Sequence, residues 1–363
     1  MSCAKKQKNN ELLEWIAWGR AELSRAGIEE DQEECERILM KLLSCQRSEI
    51  YLREHELIES GVRERFLAIV EKRLQRIPLA YLLNEADFWQ ETLYVDERCL
   101  IPRPETEILV EQIILEVTKN KTGSFGNGHE ARIGNGKGNV TVTDKRHGHR
   151  CRDRSTSFLD IGTGSGAIAV ALLREFPDAH GTLLDISEEA LEVARINVEK
   201  YGLQDRARLV KGNCFGGLAS RHPETRRAEG SQDEILRFAQ NDELHGEQFC
   251  WIVSNPPYLS EQDWNGVQEE LKFEPRRALD GGKDGLDFYR KIIAGAHGHL
   301  ISGGRLALEV GQGQADTVSK WLQTAGYDNI QRFKDHLGIE RVITARKAES
   351  IRIENNKAKH DVR

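Results

Sequence analysis

The sequence carries, at residues 158–167, the stretch Phe158-Leu159-Asp160-Ile161-Gly162-Thr163-Gly164-Ser165-Gly166-Ala167. Its first four residues form a mostly apolar run that predicts a buried strand, and a helical pattern begins at Ala167. The glycines between them let the backbone turn tightly and let a ligand approach closely. The helix start beyond the turn offers free N–H groups, which suit a carboxylate or a phosphate. The stretch therefore predicts a strand, a ligand-binding turn and a helix in that order.

From this stretch onward the chain alternates strand and helix patterns. Strands are predicted at 158–161, 182–185, 208–210, 249–253, 305–310 and 341–344, and helices at 167–175, 187–201, 286–301 and 315–325. This alternation predicts an α/β fold with a mostly parallel, doubly wound sheet. In such a sheet, a ligand binds beyond the carboxyl ends of the strands, at the point where the strand order reverses.

Two cofactor classes fit the glycine-rich turn. The spacing of Gly162, Gly164 and Ala167 matches the loose dinucleotide pattern, whereas acid-x-Gly-x-Gly-x-Gly from Asp160 matches the S-adenosylmethionine loop of class I methyltransferases. Asp185 ends the next predicted strand, where an acid binds a pair of ribose hydroxyls in folds of this kind. The residues that we expect to line the cofactor here are Gly162, Thr163, Gly164, Ser165, Gly166 and Asp185.

A second signal is the stretch Val253-Ser254-Asn255-Pro256-Pro257-Tyr258. The prolines end the preceding strand because they cannot donate to a ladder, so Asn255 lies at the carboxyl end of that strand. An amide carbonyl, a rigid turn with free backbone carbonyls and an aromatic face together suit a planar NH2 group. Asn-Pro alone is most simply an ordinary strand-end turn, but the four-residue run is more specific. A dehydrogenase would more naturally present a histidine or a lysine there, so the turn favours methyl transfer.

The organisation of the chain follows from changes in its pattern. Residues 1–80 show apolar residues at helical spacing and predict a helical bundle that docks the substrate, with a first helix around the apolar residues from Leu12 to Leu23 and two more near 31–44 and 61–76. Residues 81–104 predict a β-hairpin and a stiff proline linker, after which Thr106 is predicted to cap a helix over 107–118. Residues 105–348 form the predicted catalytic domain, interrupted by insertions near 119–157 and 216–248, the second with a short helix over 234–240. Residues 349–363 are a polar tail.

Composition bounds the remaining function classes. A length of 363 residues suggests two domains, and a formal net charge of −7 argues against a general polyanion binder. The seven cysteines form no C-x-x-C pair, so neither a disulfide framework nor a metal site is predicted. The sequence shows no signal peptide and no apolar run that would span a membrane. We therefore expect a cytoplasmic protein with no membrane or stable nucleic-acid partner, and a monomer.

The chain resembles the protein N5-glutamine methyltransferases of the PrmC/HemK type, which modify peptide chain release factors. The resemblance covers the helical segment, the linker and the catalytic domain, but neither insertion. It rests on four marks, which are Leu-Ile-Pro-Arg-Pro-Glu-Thr-Glu at 100–107, the turn at 160–166, Asn-Pro-Pro-Tyr at 255–258, and Phe-Glu-Pro-Arg-Arg-Ala-Leu at 273–279 leading into 284–287. The first and last marks are specific to this family, whereas Asn-Pro-Pro-Tyr is shared with adenine-N6 and cytosine-N4 DNA methyltransferases.

The resemblance implies a class I Rossmann-like methyltransferase domain and an S-adenosylmethionine cofactor, with S-adenosylhomocysteine as product. It implies methylation of the glutamine in the Gly-Gly-Gln motif of release factors, which would then be the protein partners. The chain departs from the family at Asn213 and Cys214, where an acid and a larger apolar residue usually stand against the adenine. The cofactor contacts that the resemblance implies are therefore Asn213 and Cys214, together with Asn255.

The catalytic hypothesis concerns Asn255, Pro256 and Tyr258. An amide nitrogen is a poor nucleophile because its lone pair is delocalised, so the two glutamine N–H groups need acceptors that orient it. We expect the Asn255 side-chain carbonyl and the Pro256 backbone carbonyl to accept them, which is a positioning effect. Tyr258 would form a wall against the glutamine side chain, and Pro257 would hold the turn.

Three other functions remain open from the residues alone. A nucleic-acid base methyltransferase would share the cofactor and the turn, and the basic stretch at 121–157 is its only support. A nicotinamide-dependent oxidoreductase is supported by Gly162, Gly164, Ala167 and Asp185. A non-catalytic binding protein with a relic site is the third.

Overall fold

A computed structural model describes residues 11–53, 56–122, 157–216, 218 and 247–348 of the chain. The predicted insertions and the tail therefore lie mostly outside the described residues, as does the short helix predicted over 234–240. Where the first insertion was expected to begin, at residue 119, the chain is still helical. The domain limits themselves stay a prediction.

Within residues 11–53 and 56–83, five helices pack around one apolar core. They are α1 (Leu12–Arg25), α2 (Asp31–Leu43), α3 (Arg47–Leu52), α4 (Ser60–Leu74) and α5 (Leu79–Leu83). Trp15, Ile38, Leu39, Phe66 and Val70 are buried together in this core. The three helices predicted from apolar spacing are all present. The structure adds α3 and α5, which are too short to show a helical period.

A hairpin and a long helix connect the bundle to the sheet. The hairpin pairs β1 (Ala86–Phe88) with β2 (Glu91–Leu93), so the predicted hairpin is present. Helix α6 (Pro104–Thr122) begins three residues before the start that the sequence predicted. Proline is favoured at the first helical position because its missing N–H is not needed there. The prediction of Thr106 as the cap is therefore wrong, since Thr106 lies inside the first turn.

Among the described residues from 157 to 348, the chain forms a seven-stranded sheet. Its strands are β3 (Ser157–Ile161), β4 (His180–Asp185), β5 (Ala207–Lys211), β6 (Phe249–Ser254), β7 (Leu300–Glu309), β8 (Tyr327–Lys334) and β9 (Glu340–Lys347). Their order is β5-β4-β3-β6-β7-β9-β8, with parallel pairing from β5 to β7 and antiparallel pairing of β9 to both of its neighbours. The predicted doubly wound sheet is confirmed. Strand β8 was not predicted, because its polar residues do not resemble a buried strand.

Helices cover both faces of this sheet. They are α7 (Ala167–Glu175), α8 (Glu188–Lys200), α9 (Asp287–His299) and α10 (Ala315–Thr324), together with α6. Alternate strand residues face opposite cores: Phe158 packs with α6, α7 and α8, whereas Leu159 packs with α9 and α10. This is the period of two that a strand imposes. Ser187 caps α8, since its hydroxyl accepts the N–H of Ala190.

The strand order reverses between β3 and β6. The two strands are parallel neighbours, with Asp160 paired to Val253. The glycine-rich turn after β3 and the Asn-Pro-Pro-Tyr turn after β6 therefore leave the sheet side by side at its carboxyl edge. Open parallel sheets bind their ligands at this position. Within the described ranges, no helix is long and apolar enough to cross a bilayer.

Candidate active site

The three glycines of the turn after β3 have different surroundings. All have a positive φ, of 73° at Gly162, 55° at Gly164 and 81° at Gly166, which L side chains rarely adopt. A Cβ at Gly162 or Gly164 would meet nothing within 4 Å, whereas one at Gly166 would lie 3.3 Å from the Cβ of Ala194 in α8. The first two glycines therefore border open space that a ligand can enter, and the third lets α8 pack closely.

Thr163 through its side chain and Ser165 through its backbone carbonyl form hydrogen bonds within the fold. The Thr163 hydroxyl donates to Asp160 Oδ2 at 2.7 Å, and the Ser165 carbonyl accepts from Asn197 Nδ2 at 2.8 Å. Thr163 and Ser165 are both buried. Of the predicted cofactor residues, these two thus hold the shape of the turn. Asn197 was not predicted, because only the tertiary contact shows that a helix residue supports the turn.

Two carboxyl groups border the turn. Burial raises the pKa of Asp160 to about 7, against the opposing effect of the Thr163 hydrogen bond. Asp185 accepts the N–H of Gly164 at 2.9 Å and the N–H of Ser187 at 2.8 Å. Burial also raises the pKa of Asp185, although these backbone bonds oppose it. Asp185 thus lies at the end of β4 beside the glycine turn, where its remaining lone pairs can accept bonds from hydroxyl groups.

An apolar side chain lies at the same edge of the sheet. Ile186 directly follows Asp185 and is 54% exposed, although it is a large aliphatic residue. Its exposed aliphatic side chain is a surface on which the flat ring of a ligand can pack. Ile186 was not among the predicted cofactor residues, although an apolar residue directly after a strand-ending acid was a signal that could have found it.

The turn after β5 carries Asn213 and Cys214. Cys214 has a φ of 53°, and burial raises the pKa of its thiol. The next residue, Phe215, stacks on the ring of His299 with a centroid distance of 4.8 Å. Gly295 makes room for it, because a Cβ there would lie 2.3 Å from the Phe215 ring. The aromatic pair therefore anchors this turn to α9.

Asn255 follows β6 and faces the first turn of α6. Its Nδ2 donates to Thr106 Oγ1 at 3.0 Å, and Thr106 Oγ1 donates to Glu309 Oε2 at 2.6 Å. Glu309 is the last residue of β7, 1% exposed, and burial raises its pKa to about 7. The Ser254 hydroxyl donates to the Ile161 carbonyl at 2.7 Å and so ties the two turns together. Glu309 was missed because it lies inside the strand predicted over 305–310, and its partner Thr106 is distant in the chain.

The Asn-Pro-Pro-Tyr turn is braced by residues 273–287. Leu259 donates to the Leu279 carbonyl at 2.9 Å and accepts from the Gly281 N–H at 2.8 Å. A Cβ at Gly285 would lie 2.4 Å from the Tyr258 carbonyl oxygen, which also accepts from Gln314 Nε2 at 2.9 Å. Burial raises the pKa of the half-buried Tyr258. The fourth sequence mark therefore forms the wall that holds the turn in place.

The first and fourth sequence marks meet at Glu274. This buried carboxylate accepts the N–H of Ile101 at 3.0 Å and forms an ion pair with Arg103. The proline linker is thereby fixed against the brace of the Asn-Pro-Pro-Tyr turn. The structure therefore brings every predicted site element to one edge of the sheet: the glycine turn, Asp185, Asn213, Cys214, and Asn255 with Pro256, Pro257 and Tyr258.

Comparison with known proteins finds methyltransferases that are similar to this chain over most of its length. The PrmC N-terminal domain matches residues 14–83, and a methyltransferase domain matches residues 152–221. The release factor glutamine methyltransferase of Rhodopirellula baltica is 32% identical over 341 residues, which are 93% of this chain and 96% of that protein. The protein of the same name from Xylella fastidiosa is 33% identical over 313 residues, which are 86% of this chain and 92% of that protein.

A solved structure is also similar to this chain. It is the release factor-specific protein-(glutamine-N5) methyltransferase of Alicyclobacillus acidocaldarius, which aligns with 70% of this chain and 99% of its own length at 23% identity and a TM-score of 0.34. From the sequence relatives and the matched domains, the chain belongs to the release factor glutamine methyltransferase family, as an enzyme with a class I methyltransferase domain and a PrmC N-terminal domain.

Proposed function

We propose that this protein transfers a methyl group from S-adenosylmethionine to the side-chain N5 atom of the glutamine in the Gly-Gly-Gln motif of peptide chain release factors. It would do so in the cytoplasm, as a monomer. The observation that carries the proposal is the amide of Asn255, held by Thr106 at the sheet edge beside the glycine turn. The names of the sequence relatives support the choice of substrate.

The residues at the sheet edge fit this cofactor. Gly162 and Gly164 leave open space for its amino-acid part, because any side chain there would fill that space. The Asp185 carboxylate can accept bonds from the two ribose hydroxyls, and Ile186 offers an apolar surface to the adenine. Asn213 and Cys214 would border the same ring from the next strand. When bound, the cofactor supplies a methyl group activated by a sulfonium.

The Asn255 amide would position the glutamine nitrogen. Its NH2 group is engaged by Thr106, so its oxygen is the atom left to accept a bond from the substrate. With the Pro256 backbone carbonyl as second acceptor, both glutamine N–H groups would be held and the nitrogen oriented for in-line attack. The same carbonyls stabilise positive charge that grows on nitrogen in the transition state. The alkylated nitrogen is acidic and loses its extra proton to water without a strong base.

Tyr258 and Pro257 would shape the substrate channel. Tyr258 is braced through its carbonyl by Gln314, which itself accepts the N–H of Gly311 at 2.9 Å. The aromatic ring can therefore form a fixed wall against the aliphatic part of the glutamine side chain. Pro257 would keep the turn rigid, since its ring locks the backbone φ angle.

The experiment that tests the proposal offers several acceptors to one enzyme preparation. The protein is incubated with methyl-labelled S-adenosylmethionine and a release factor, the same release factor with its Gly-Gly-Gln glutamine replaced by alanine, DNA, or RNA. We expect label only on the unaltered release factor, and mass spectrometry should locate it on that glutamine. Label on DNA or RNA, or equal label on the altered release factor, would contradict the proposal. Binding of NADH in place of S-adenosylmethionine would do the same.

A further inference from the structure

Three side chains from distant parts of the chain form a polar relay at the sheet edge. Glu309 ends β7, Thr106 lies in the first turn of α6, and Asn255 follows β6. Thr106 is 4% exposed and Glu309 1% exposed, so water does not compete for their hydrogen bonds. The Thr106 oxygen lies 2.6 Å from Glu309 Oε2 and 3.0 Å from Asn255 Nδ2.

The direction of the relay follows from the number of protons. A threonine hydroxyl has one proton to donate, and an ionised carboxylate can only accept. With Glu309 ionised, the Thr106 proton points to Glu309, and the Thr106 oxygen can only accept from Asn255. The atom of Asn255 on the Thr106 side must then be its NH2 group. Its oxygen is turned the other way.

We propose that Glu309 and Thr106 are positioning residues, which hold the Asn255 amide with its oxygen toward the substrate only while Glu309 is ionised. The inference rests on the proposed function, because it explains how the acceptor for the glutamine NH2 group is selected. Neither residue touches the substrate in this account, and both act through Asn255. A neutral Glu309 reverses the relay.

In the reversed relay, the side-chain amide of Asn255 has the opposite orientation. A protonated Glu309 donates to the Thr106 oxygen, which frees the Thr106 proton to point at Asn255. The side-chain amide then turns by half a rotation so that its oxygen accepts that proton. Its NH2 group now faces the substrate NH2 group, and two donors cannot bond to each other. Transfer therefore stops in this state.

The surroundings of Glu309 place this change near neutral pH. The charged or titratable groups that face it come from the linker, α6, the Asn-Pro-Pro-Tyr turn, α9 and β9, and are Arg103, Glu105, Tyr258, Tyr289 and Arg341. Both arginines have other acidic partners, since Arg103 pairs with Glu274, and Arg341 with Asp335 at 2.9 Å. Their positive charges therefore offset only part of the effect of burial on the pKa of Glu309, and burial raises this pKa to about 7.

The first test is a pH profile of single-turnover transfer to a release factor at saturating S-adenosylmethionine. We expect the wild-type rate to rise with pH through a midpoint near 7. Glu309→Gln should lose this pH dependence and transfer about tenfold more slowly at pH 8, because a neutral amide permits both orientations of the relay. Thr106→Val should lose about 10²-fold at pH 8, and Thr106→Ser should restore most of the rate, because it restores the hydroxyl. Glu111→Gln, on the exposed face of α6, should match the wild type.

A second measurement reads the amide itself and needs no substrate. The side-chain NH2 signals of Asn255, assigned by their loss in Asn255→Ala, should shift between pH 6 and pH 8 in the ¹⁵N spectrum of the wild type but stay fixed in Glu309→Gln. A wild type whose Asn255 signals do not respond to pH, or a Glu309→Gln variant that keeps the wild-type pH profile, overturns the relay. If the signals titrate as expected while no release factor is methylated, the relay stands and the proposed substrate is wrong.

Discussion

Among single residues, the buried carboxyl group of Glu309 makes the pH dependence of stability testable. Folding raises its pKa from an ordinary value of 4.5 to about 7, because burial disfavours the charged form. The folded state therefore holds this proton more tightly than the unfolded state does. The stability that this group contributes is complete below pH 4.5 and is lost as the pH rises through 7.

Glu309→Gln should thus gain stability relative to the wild type as the pH rises. The glutamine stays neutral at every pH, so the variant avoids the cost of a buried charge at pH 8 but has no such advantage at pH 5. Thermal unfolding at the two pH values measures the difference. Glu111→Gln is the control, whose melting temperature should differ from that of the wild type by the same amount at both. A Glu309→Gln difference that does not change with pH would contradict the assignment of a raised pKa.

Among the elements, the glycine turn after β3 is expected to bind the cofactor in the open space beside Gly162 and Gly164. Gly164→Val would place a branched side chain in that space, so we expect S-adenosylmethionine binding to be abolished in calorimetry. Gly202→Val is the matched control, because Gly202 has a similar φ of 65° and also borders open space, but it follows α8. Both variants place a side chain at a residue with a positive φ. Equal loss of binding in the two would mean that strain alone, and not the cofactor position, explains the effect.

The brace of the Asn-Pro-Pro-Tyr turn gives a second prediction at this scale. A Cβ at Gly285 would lie 2.4 Å from the Tyr258 carbonyl oxygen and 2.7 Å from Gln314 Nε2. The backbone φ of Gly285 is 73°, which a side chain would also disfavour. Gly285→Ala should therefore displace the turn and slow transfer by about 10²-fold, with cofactor affinity almost unchanged. Gly266→Ala meets nothing within 4 Å and should leave both quantities as they are. Single-turnover rates and calorimetry decide, and an unimpaired Gly285→Ala enzyme would refute the bracing role.

At the scale of the whole molecule, an arginine cluster joins the helical bundle to the catalytic part. Buried Arg73 in α4 bonds to both oxygens of Glu34 and, at 3.1 Å, to Glu270, which also accepts from Arg76 at 3.1 Å. Burial alone would raise the pKa of Glu270, but hydrogen bonds, including those from both arginines, hold it below its usual value. Glu270 lies in the segment between the Asn-Pro-Pro-Tyr turn and its brace at 273–287, so the cluster sets the bundle beside the site.

Glu270→Ala should weaken this junction by about 1 kcal/mol, which is the scale of a partly exposed ion pair. For a substrate that contacts both parts of the molecule, this loss corresponds to about a fivefold rise in KM for the release factor. Cofactor affinity should not change, because the glycine turn is not involved. Glu261→Ala, an exposed residue of the same segment, is the control. A variant with unchanged KM and weakened cofactor binding would contradict this prediction. It would show that the junction supports the cofactor-binding sheet and not the binding of the release factor.

Local signals in the sequence predicted much of the fold. Helix α7 was predicted with its observed bounds, because glycines stop just before it and the apolar run is continuous. The start of α6 and the role of Thr106 were missed, since the Thr106 hydroxyl bonds to Glu309, which lies 203 residues away in the chain. Strand β8 was missed because, within the described sheet, it lies at the edge beside β9 and stays half polar. Residues whose role depends on a distant partner carried no local signal.

In the proposed mechanism, the Asn255 amide oxygen positions the substrate nitrogen. The most direct measurement is the single-turnover rate of methyl transfer to a release factor by Asn255→Ala, with cofactor affinity measured on the same sample. We expect the rate to fall by about 10²–10³-fold, the scale found when one preorganised polar group is removed from a transition state, and the affinity to change little. Transfer to the Gly-Gly-Gln glutamine at the wild-type rate, or a methyl group on a different residue, would contradict the account.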